Sequence, residues 1–96
     1  MNEEKELEYI ASLFSALGHQ SRLLIVKSLA DKEHCVCELK EIVGSEMPTV
    51  SKHLSVLKNA GIVDNRKQNN QVFYRLVLPC TISFINCLSE KLKNKE

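Results

Sequence analysis

Apolar residues recur every three or four positions along the first half of the chain, which is the spacing of one face of an α-helix. The first such stripe predicts a helix over residues 4–17, and the second predicts a helix over residues 20–31. A third, shorter helix is predicted over residues 37–43, where Gly44 ends it because glycine readily adopts the left-handed conformation of a helix C-terminus. The chain is therefore predicted to begin with three helices joined by short connections.

The fourth predicted helix has two contrasting faces. Ser45 is expected to be its N-cap, and Gly61 is expected to stop it. Its inward face is predicted from apolar positions at helical spacing, which are Met47, Val50, Leu54 and Leu57. The opposite face is small, polar and basic. A short helix, a glycine turn and a helix with a small polar face together predict a helix-turn-helix.

The hydrophobic period changes after Gly61. Residues 63–67 and 71–77 have the pattern of strands, and the turn between them contains Asn69 and Asn70, which tolerate positive φ. A last helix is predicted over residues 80–93. The predicted fold is mainly α with a β-hairpin (α+β), a winged helix-turn-helix in the order α-α-α-α-β-β-α. Residues 1–96 are expected to form this one domain.

Composition and charge narrow the class of protein without identifying a partner. The chain has 96 residues, of which 44% are hydrophobic and 26% charged, and its net charge is +1. Its acidic start lacks the basic segment of a signal peptide, and no apolar run is long enough to cross a bilayer, so a cytoplasmic location is expected. A chain of this size buries a smaller share of its unfolded surface than a larger domain does, which favours pairing of two chains. The apolar stripes of the first and last helices predict a homodimer through these two helices.

Positive charge is concentrated in the second half of the chain, which favours a polyanionic partner. Residues 47–75 carry five basic side chains and a single acidic one, Asp64. Short hydroxyl side chains near a helix N-terminus can reach base edges, and basic side chains of the hairpin can hold the DNA backbone. The predicted contacts to double-stranded DNA are Thr49, Ser51, Lys52, His53, Ser55, Arg66 and Lys67.

Two cysteines separated by one residue, Cys35 and Cys37, lie at the predicted start of the third helix. Within a regular helix such side chains point about 200° apart, so they can share one ion only if Cys35 is outside the helix. The positive end of the helix also stabilises thiolates over thiols. Soft thiolate ligands select soft, thiophilic ions. The alternative is two small hydrophobic residues at a helix start.

The segments LFSALGHQSRLLIVKSLA, CVCELKEIVG, TVSKHLSVLKNAGIV and the hairpin through VFYRL resemble the ArsR/SmtB-type metalloregulatory repressors. The CVC pair followed by an acidic residue and leucine resembles the arsenical-resistance branch. The resemblance implies a homodimeric repressor, not an enzyme, that leaves its operator when As(III) or Sb(III) binds Cys35 and Cys37. It implies no organic cofactor. Two-fold symmetry would require a near-palindromic operator.

This sequence departs from that branch at Lys40, where a third cysteine is often found. A small thiol or water, His34, or one of the two later cysteines, Cys80 and Cys87, are the alternatives for completing the ligand shell. A zinc site on the last helix is disfavoured because that helix has no histidine. A four-thiolate cadmium or lead site is disfavoured because no cysteine precedes Cys35.

Cys80 and Cys87 share a face of the last predicted helix, but a rise of about 10 Å separates them. One chain therefore cannot chelate one ion with both. Across a dimer they would form a second thiol site or a redox pair, and the alternative is that they only pack in the interface. A related hypothesis keeps the fold and makes the protein a thiol redox or reactive-sulfur sensing repressor. A small thiol oxidoreductase is disfavoured because neither a βαβ pattern nor a CxxC motif is present.

Overall fold

The computed structural model describes residues 2–95, and these form five helices and three strands. In chain order the elements are α1 (Glu3–Leu17), α2 (Gln20–Asp31), β1 (His34–Cys35), α3 (Val36–Val43), α4 (Met47–Asn59), β2 (Val63–Gln68), β3 (Gln71–Leu76) and α5 (Cys80–Lys95). The winged helix-turn-helix predicted from the sequence is confirmed, with β1 as an additional element. No helix within the described residues is both long and apolar enough to cross a membrane.

The short strand β1 changes the predicted two-stranded hairpin into a three-stranded antiparallel sheet of order β1-β3-β2. His34 pairs with Tyr74 and Cys35 pairs with Phe73. A strand of two residues is too short to show a period, so the hydrophobic pattern could not reveal it. The residues before α3 are therefore extended and attached to the second strand of the hairpin.

The hydrophobic core lies between α2, α3, α4 and the start of β2. Its most buried side chains are Ile25, Val26, Leu39, Val50, Leu54, Leu57, Ile62 and Val63. The predicted inner face of α4 is confirmed for Val50, Leu54 and Leu57, which are buried, but Met47 is 36% exposed. Met47 is the first residue of α4, where the helix has only just reached the core.

The turns that position α4 and the hairpin follow the predicted chemistry with one exception. Gly44 ends α3 with φ of 75°, and Asn69 and Asn70 adopt φ of 52° and 67° in the hairpin turn. The predicted N-cap, Ser45, is wrong because the N-cap residue is Glu46. The helix begins one residue later than predicted, which places the following proline in its first turn, where the missing N–H carries no penalty.

Helices α1 and α5 leave apolar side chains uncovered. The rings of Phe14 and Phe84 meet edge to face with centroids 5.3 Å apart. Leu88 and Leu92 on α5 are 54% and 61% exposed, and Leu7 on α1 is 57% exposed. We refer to these five residues together as the α1–α5 apolar surface. A single chain therefore leaves the stripes of its first and last helices facing solvent.

Candidate nucleic-acid interface and thiol site

The outer face of α4 is polar and exposed, as the sequence predicts. Thr49, Ser51, Lys52 and Ser55 are all exposed, while the apolar side of the same helix is buried in the core. A helix anchored in this way presents a fixed row of hydroxyl and ammonium groups to solvent. Such a row has the dimensions and chemistry that fit the major groove of DNA.

His53 lies on the inner side of α4, in contrast to its predicted DNA contact. It is 7% exposed. Its Nδ1 lies 3.3 Å from Nη1 of Arg22, and its ring stacks at a tilt on that of His19 with centroids 4.4 Å apart. Burial lowers the pKa of His53, and the neighbouring charges of His19, Arg22 and Lys52 lower it further. We therefore remove His53 from the predicted contacts. The sequence signal for the buried position of His53 was its helical spacing from Val50 and Leu57, which are buried on the same side of α4.

Arg22 is a residue of this region that the sequence analysis missed. Its Nε donates a hydrogen bond to the carbonyl oxygen of Ala16 at 2.6 Å, which fixes the guanidinium against the end of α1. Beside it lies an open cleft of about 520 Å³. The residues that line the cleft are His19, Arg22, Pro48, Thr49, Lys52 and His53. We refer to it as the α2–α4 cleft. The only sequence signal was an arginine in the first turn of α2, directly before the apolar run of residues 23–26.

Arg66 and Lys67 lie exposed on β2 of the β2–β3 hairpin, which is the wing. Arg66 has protein partners. Its Nε and Nη2 lie 3.1 Å and 3.0 Å from Oε1 of Glu33. Its Nη1 donates a hydrogen bond to Gln68, and its guanidinium lies over the ring of Phe73, 5.1 Å from the centroid. Exposed ion pairs of this kind contribute little stability, so a phosphate can replace Glu33 as the partner.

Cys35 is the N-cap of α3 and has extended dihedral angles, φ −75° and ψ 163°. The predicted placement of Cys35 outside the regular helix is therefore confirmed. Its N–H donates to Oε1 of Glu38 at 3.0 Å, as in the carboxylate half of a capping box. This backbone hydrogen bond is the main cause that lowers the pKa of Glu38, and the Cys35 side chain contributes next. Cys35 itself is 7% exposed, whereas Cys37 is exposed.

His34 brings a buried donor group to the same segment. The residue is 8% exposed. Its Nδ1 is buried without a hydrogen-bond partner, and it lies 3.6 Å from Oε1 of Glu38. Leaving a buried ring nitrogen unpaired carries a free-energy cost, which favours a ligand at this atom.

The two later cysteines lie apart from this segment. Cys80 and Cys87 are on α5, and both are exposed and free. Cys80 also lines a small cavity beside Phe14 and Phe84 of the α1–α5 apolar surface. Within residues 2–95 there is no group of three or more His, Cys, Asp or Glu side chains placed to hold a metal ion. Three protein ligands at one ion there would therefore require a change in conformation.

Comparison with known proteins shows consistent similarities over most of the chain. The family model described as bacterial regulatory protein, arsR family, matches residues 19–65. The biofilm growth-associated repressor of Xylella fastidiosa is 38% identical over 85 residues, which cover 88% of this chain and 75% of that protein.

Solved structures agree with the fold. The reduced form of HlyU from Vibrio cholerae superposes with a TM-score of 0.81 and 31% identity over 88% of this chain and 93% of that one. A homodimeric winged helix-turn-helix DNA-binding domain from Mycobacterium bovis superposes with a TM-score of 0.86 and 23% identity, covering 100% of this chain and 94% of that one. The second likeness supports the fold alone.

Proposed function

The chain belongs to the arsR family of bacterial regulatory proteins, and on this premise we propose that it is a transcriptional repressor that binds operator DNA as a homodimer. The observation that carries the proposal is the geometry of α4. Its apolar side is anchored in the core, and its polar side is exposed next to a wing whose first strand carries Arg66 and Lys67. In winged helix-turn-helix proteins such a helix reads the major groove while the wing holds the backbone.

The proposed contacts divide into two kinds. The hydroxyl groups of Thr49, Ser51 and Ser55 are short enough to reach base edges in the groove. Lys52, Arg66 and Lys67 are assigned to phosphates, because lysine and arginine at the edge of such a surface position the protein rather than read sequence. Arg66 would exchange its carboxylate partner for a phosphate on binding.

We expect Lys52→Ala and Arg66→Ala each to weaken binding to operator and to unrelated duplex DNA alike. Each substitution removes one phosphate contact from each subunit, and therefore two from the dimer, so the slope of log K against log salt should fall in magnitude by about 1.8. Fluorescence anisotropy between low and physiological salt measures this slope. Lys27→Ala, which removes one charge from the exposed side of α2, is the matched control and should leave the slope unchanged. Wild-type slopes in both test variants would contradict the phosphate assignment.

The proposed dimer forms through the α1–α5 apolar surface. Leu88 and Leu92 are more than half exposed on a helix that has apolar residues at regular spacing, and such a face is normally covered. Two copies related by a two-fold axis would bury this surface on both chains and place two α4 helices on one side. The operator would then be near-palindromic, with half-sites separated by about one or two helical turns.

We further propose that the inducer is trivalent arsenic or antimony, bound by Cys35 and Cys37. Both thiols are free, and both lie at the N-terminal end of α3. The donor chemistry fits a soft ion. Of the alternatives for the third ligand, the structure favours His34, because its Nδ1 is buried and unpaired within the same segment. Cys80 and Cys87 lie on a different element.

Binding would have to rearrange the start of α3. Cys35 is buried and Cys37 is exposed, so one ion can engage both only if their present arrangement changes. That change would act on the hydrogen bond from Cys35 to Glu38 and on the pairing of Cys35 with Phe73. The thiol site is thereby connected to β3, which is one of the two strands of the wing.

A second connection runs through side chains. Glu33, immediately before β1, binds Arg66 of the wing, and the Arg66 guanidinium lies over Phe73, the strand partner of Cys35. Movement of the thiol segment would therefore reposition an arginine that we assign to the DNA backbone. Allosteric coupling of this kind is reciprocal, so DNA should weaken inducer binding by the same factor as inducer weakens DNA binding.

We expect arsenite titrated anaerobically into the reduced protein to give a stoichiometric ultraviolet signal of thiolate–arsenic bonds. Its affinity should fall when operator is present, and operator affinity should fall by the same factor, on the order of 5–150-fold, when arsenite is present. Equal arsenite affinity with and without operator would refute the coupling. The variant Glu33→Gln tests the route, because it should bind arsenite normally but show a smaller coupling factor.

An alternative proposal keeps the repressor and replaces the ion by oxidation or persulfidation of thiols. It is favoured by the exposure of three of the four cysteines, Cys37, Cys80 and Cys87. Oxidants modify thiols that solvent can reach. Reversible loss of free thiols on treatment with peroxide or polysulfide, together with DNA release and without an arsenite signal, would select this alternative.

A further inference from the structure

The α2–α4 cleft carries positive charge that the protein itself does not neutralise. Arg22 and Lys52 line it from two different helices, and no carboxylate is among its lining residues. In the described part of the chain, neither of the two makes an ion pair with a carboxylate. A half-buried guanidinium without a counter-charge is a place where an anion is stabilised.

The Arg22 guanidinium is held in one orientation. Nε donates to the Ala16 carbonyl oxygen at 2.6 Å, and Nη1 lies 3.3 Å from Nδ1 of buried His53. These contacts use two of the five N–H groups of an arginine, and the other three have no partner within residues 2–95. The side chain is therefore pre-organised, with its remaining donors available to a ligand in the cleft.

Other features of the cleft also suit an anion. The Thr49 hydroxyl and the Lys52 ammonium lie on its α4 side. Both helices begin at the cleft, since His19 is the N-cap of α2 and Pro48 lies in the first turn of α4. Helix N-termini carry partial positive charge and exposed N–H groups. Three kinds of group from two helices thus converge on one open cavity.

We propose that the α2–α4 cleft binds one backbone phosphate of the DNA duplex, with Arg22 as the principal ligand and Lys52 and Thr49 beside it. The inference rests on the proposed function, because it needs α4 to lie in the groove next to the cleft. Arg22 spans the cleft between α2 and α4, so the bound phosphate fixes the depth and direction of the recognition helix rather than reading a base.

The test compares Arg22→Gln with Lys27→Gln, which removes the same charge from the exposed side of the same helix. The variant dimer loses one phosphate contact from each subunit, so we expect Arg22→Gln to reduce the magnitude of the salt slope by about 1.8 and affinity about 30-fold at 0.15 M salt, for operator and unrelated duplexes alike. Lys27→Gln should change neither appreciably. Circular dichroism is used to check that both variants are folded. Arg22→Lys keeps the charge and should retain the wild-type slope.

A second measurement locates the contact on the DNA. Operator duplexes that each carry one uncharged methylphosphonate map the phosphate contacts of the wild-type protein. We expect one position in each half-site whose neutralisation weakens the wild type and Arg22→Lys about five-fold but has no further effect on Arg22→Gln, which has already lost the contact. Identical methylphosphonate profiles for Arg22→Gln and wild type would overturn the assignment.

The outcomes separate this inference from the proposed function. If the wild type shows no salt-dependent binding to any duplex, the proposed function fails. If it binds and Arg22→Gln behaves as Lys27→Gln does, only the phosphate site fails. Titration with inorganic phosphate in the absence of DNA distinguishes the source of the anion. One result would overturn the DNA assignment in favour of a small-anion site. In it, phosphate saturates the wild type but not Arg22→Gln, and the DNA salt slope of Arg22→Gln stays at the wild-type value.

Discussion

Replacing both Cys35 and Cys37 by serine is expected to abolish the response to arsenite while leaving operator affinity within about two-fold of the wild type. Serine has nearly the size of cysteine but presents a hard oxygen, so the soft ligands of the ion are lost. The N–H of residue 35 still donates to Glu38, which keeps the start of α3 intact. The coupling factor, on the order of 5–150-fold in the wild type, should fall to one.

The matched control is Cys80→Ser/Cys87→Ser, which removes the same number of thiols from α5. It should retain a stoichiometric arsenite signal and release from operator. The assay is ultraviolet titration under reducing, anaerobic conditions, with operator anisotropy recorded in parallel. An arsenite response that survives in the Cys35/Cys37 variant and disappears in the control would move the inducer site to α5. A response retained in both variants would show that neither pair of cysteines is required for it.

Replacing Leu88 by glutamate is expected to convert the protein to a monomer and to reduce operator affinity on the order of 100-fold or more. Leu88 is 54% exposed in the single chain and lies within the α1–α5 apolar surface. Burying a carboxylate in an interface without a partner is strongly unfavourable. Each half-site would then be bound independently, and the avidity of two linked recognition helices, about 10²–10⁴-fold, would be lost.

Analytical ultracentrifugation gives the mass of the variant, and anisotropy gives its affinity for full operators and half-sites. Leu24→Glu is the control, because Leu24 is an exposed apolar residue of α2, 39% exposed, outside that surface. It should remain a dimer with unchanged affinity. A dimeric Leu88→Glu variant with wild-type affinity would show that the subunits pair through another surface.

The sequence predicted the elements whose patterns are long enough to be recognised. The inner face of α4 has three buried residues at helical spacing, and the Asn69-Asn70 turn has the positive φ angles that asparagine tolerates. Cys35 and Cys37 were predicted to lie at the start of α3, with Cys35 outside the regular helix. Cys35 is the N-cap of that helix. In each case the information is local, within one or two turns of the chain.

Features that depend on distant residues were missed. Strand β1 exists because it pairs with β3, and the ion pair of Glu33 with Arg66 joins residues that no local pattern relates. Arg22 faces a cleft that only the crossing of α2 and α4 creates. His53 was predicted as a DNA contact from its chemistry and its place in α4, whereas its spacing from Val50 and Leu57 puts it on the buried side.

The pairing of β1 with β3 joins residue 34 to residue 74, so the thiol segment is completed by a part of the chain synthesised much later. When Cys37 emerges from the ribosome, its neighbouring strand does not yet exist. Contacts between such distant positions form more slowly than helices, because a long loop must close first. Until β3 is synthesised, Cys35 lacks its strand partner. Under the proposed function, a nascent chain would therefore meet the ion before its wing is complete, so the order of assembly would influence whether a new molecule binds the ion or the operator first.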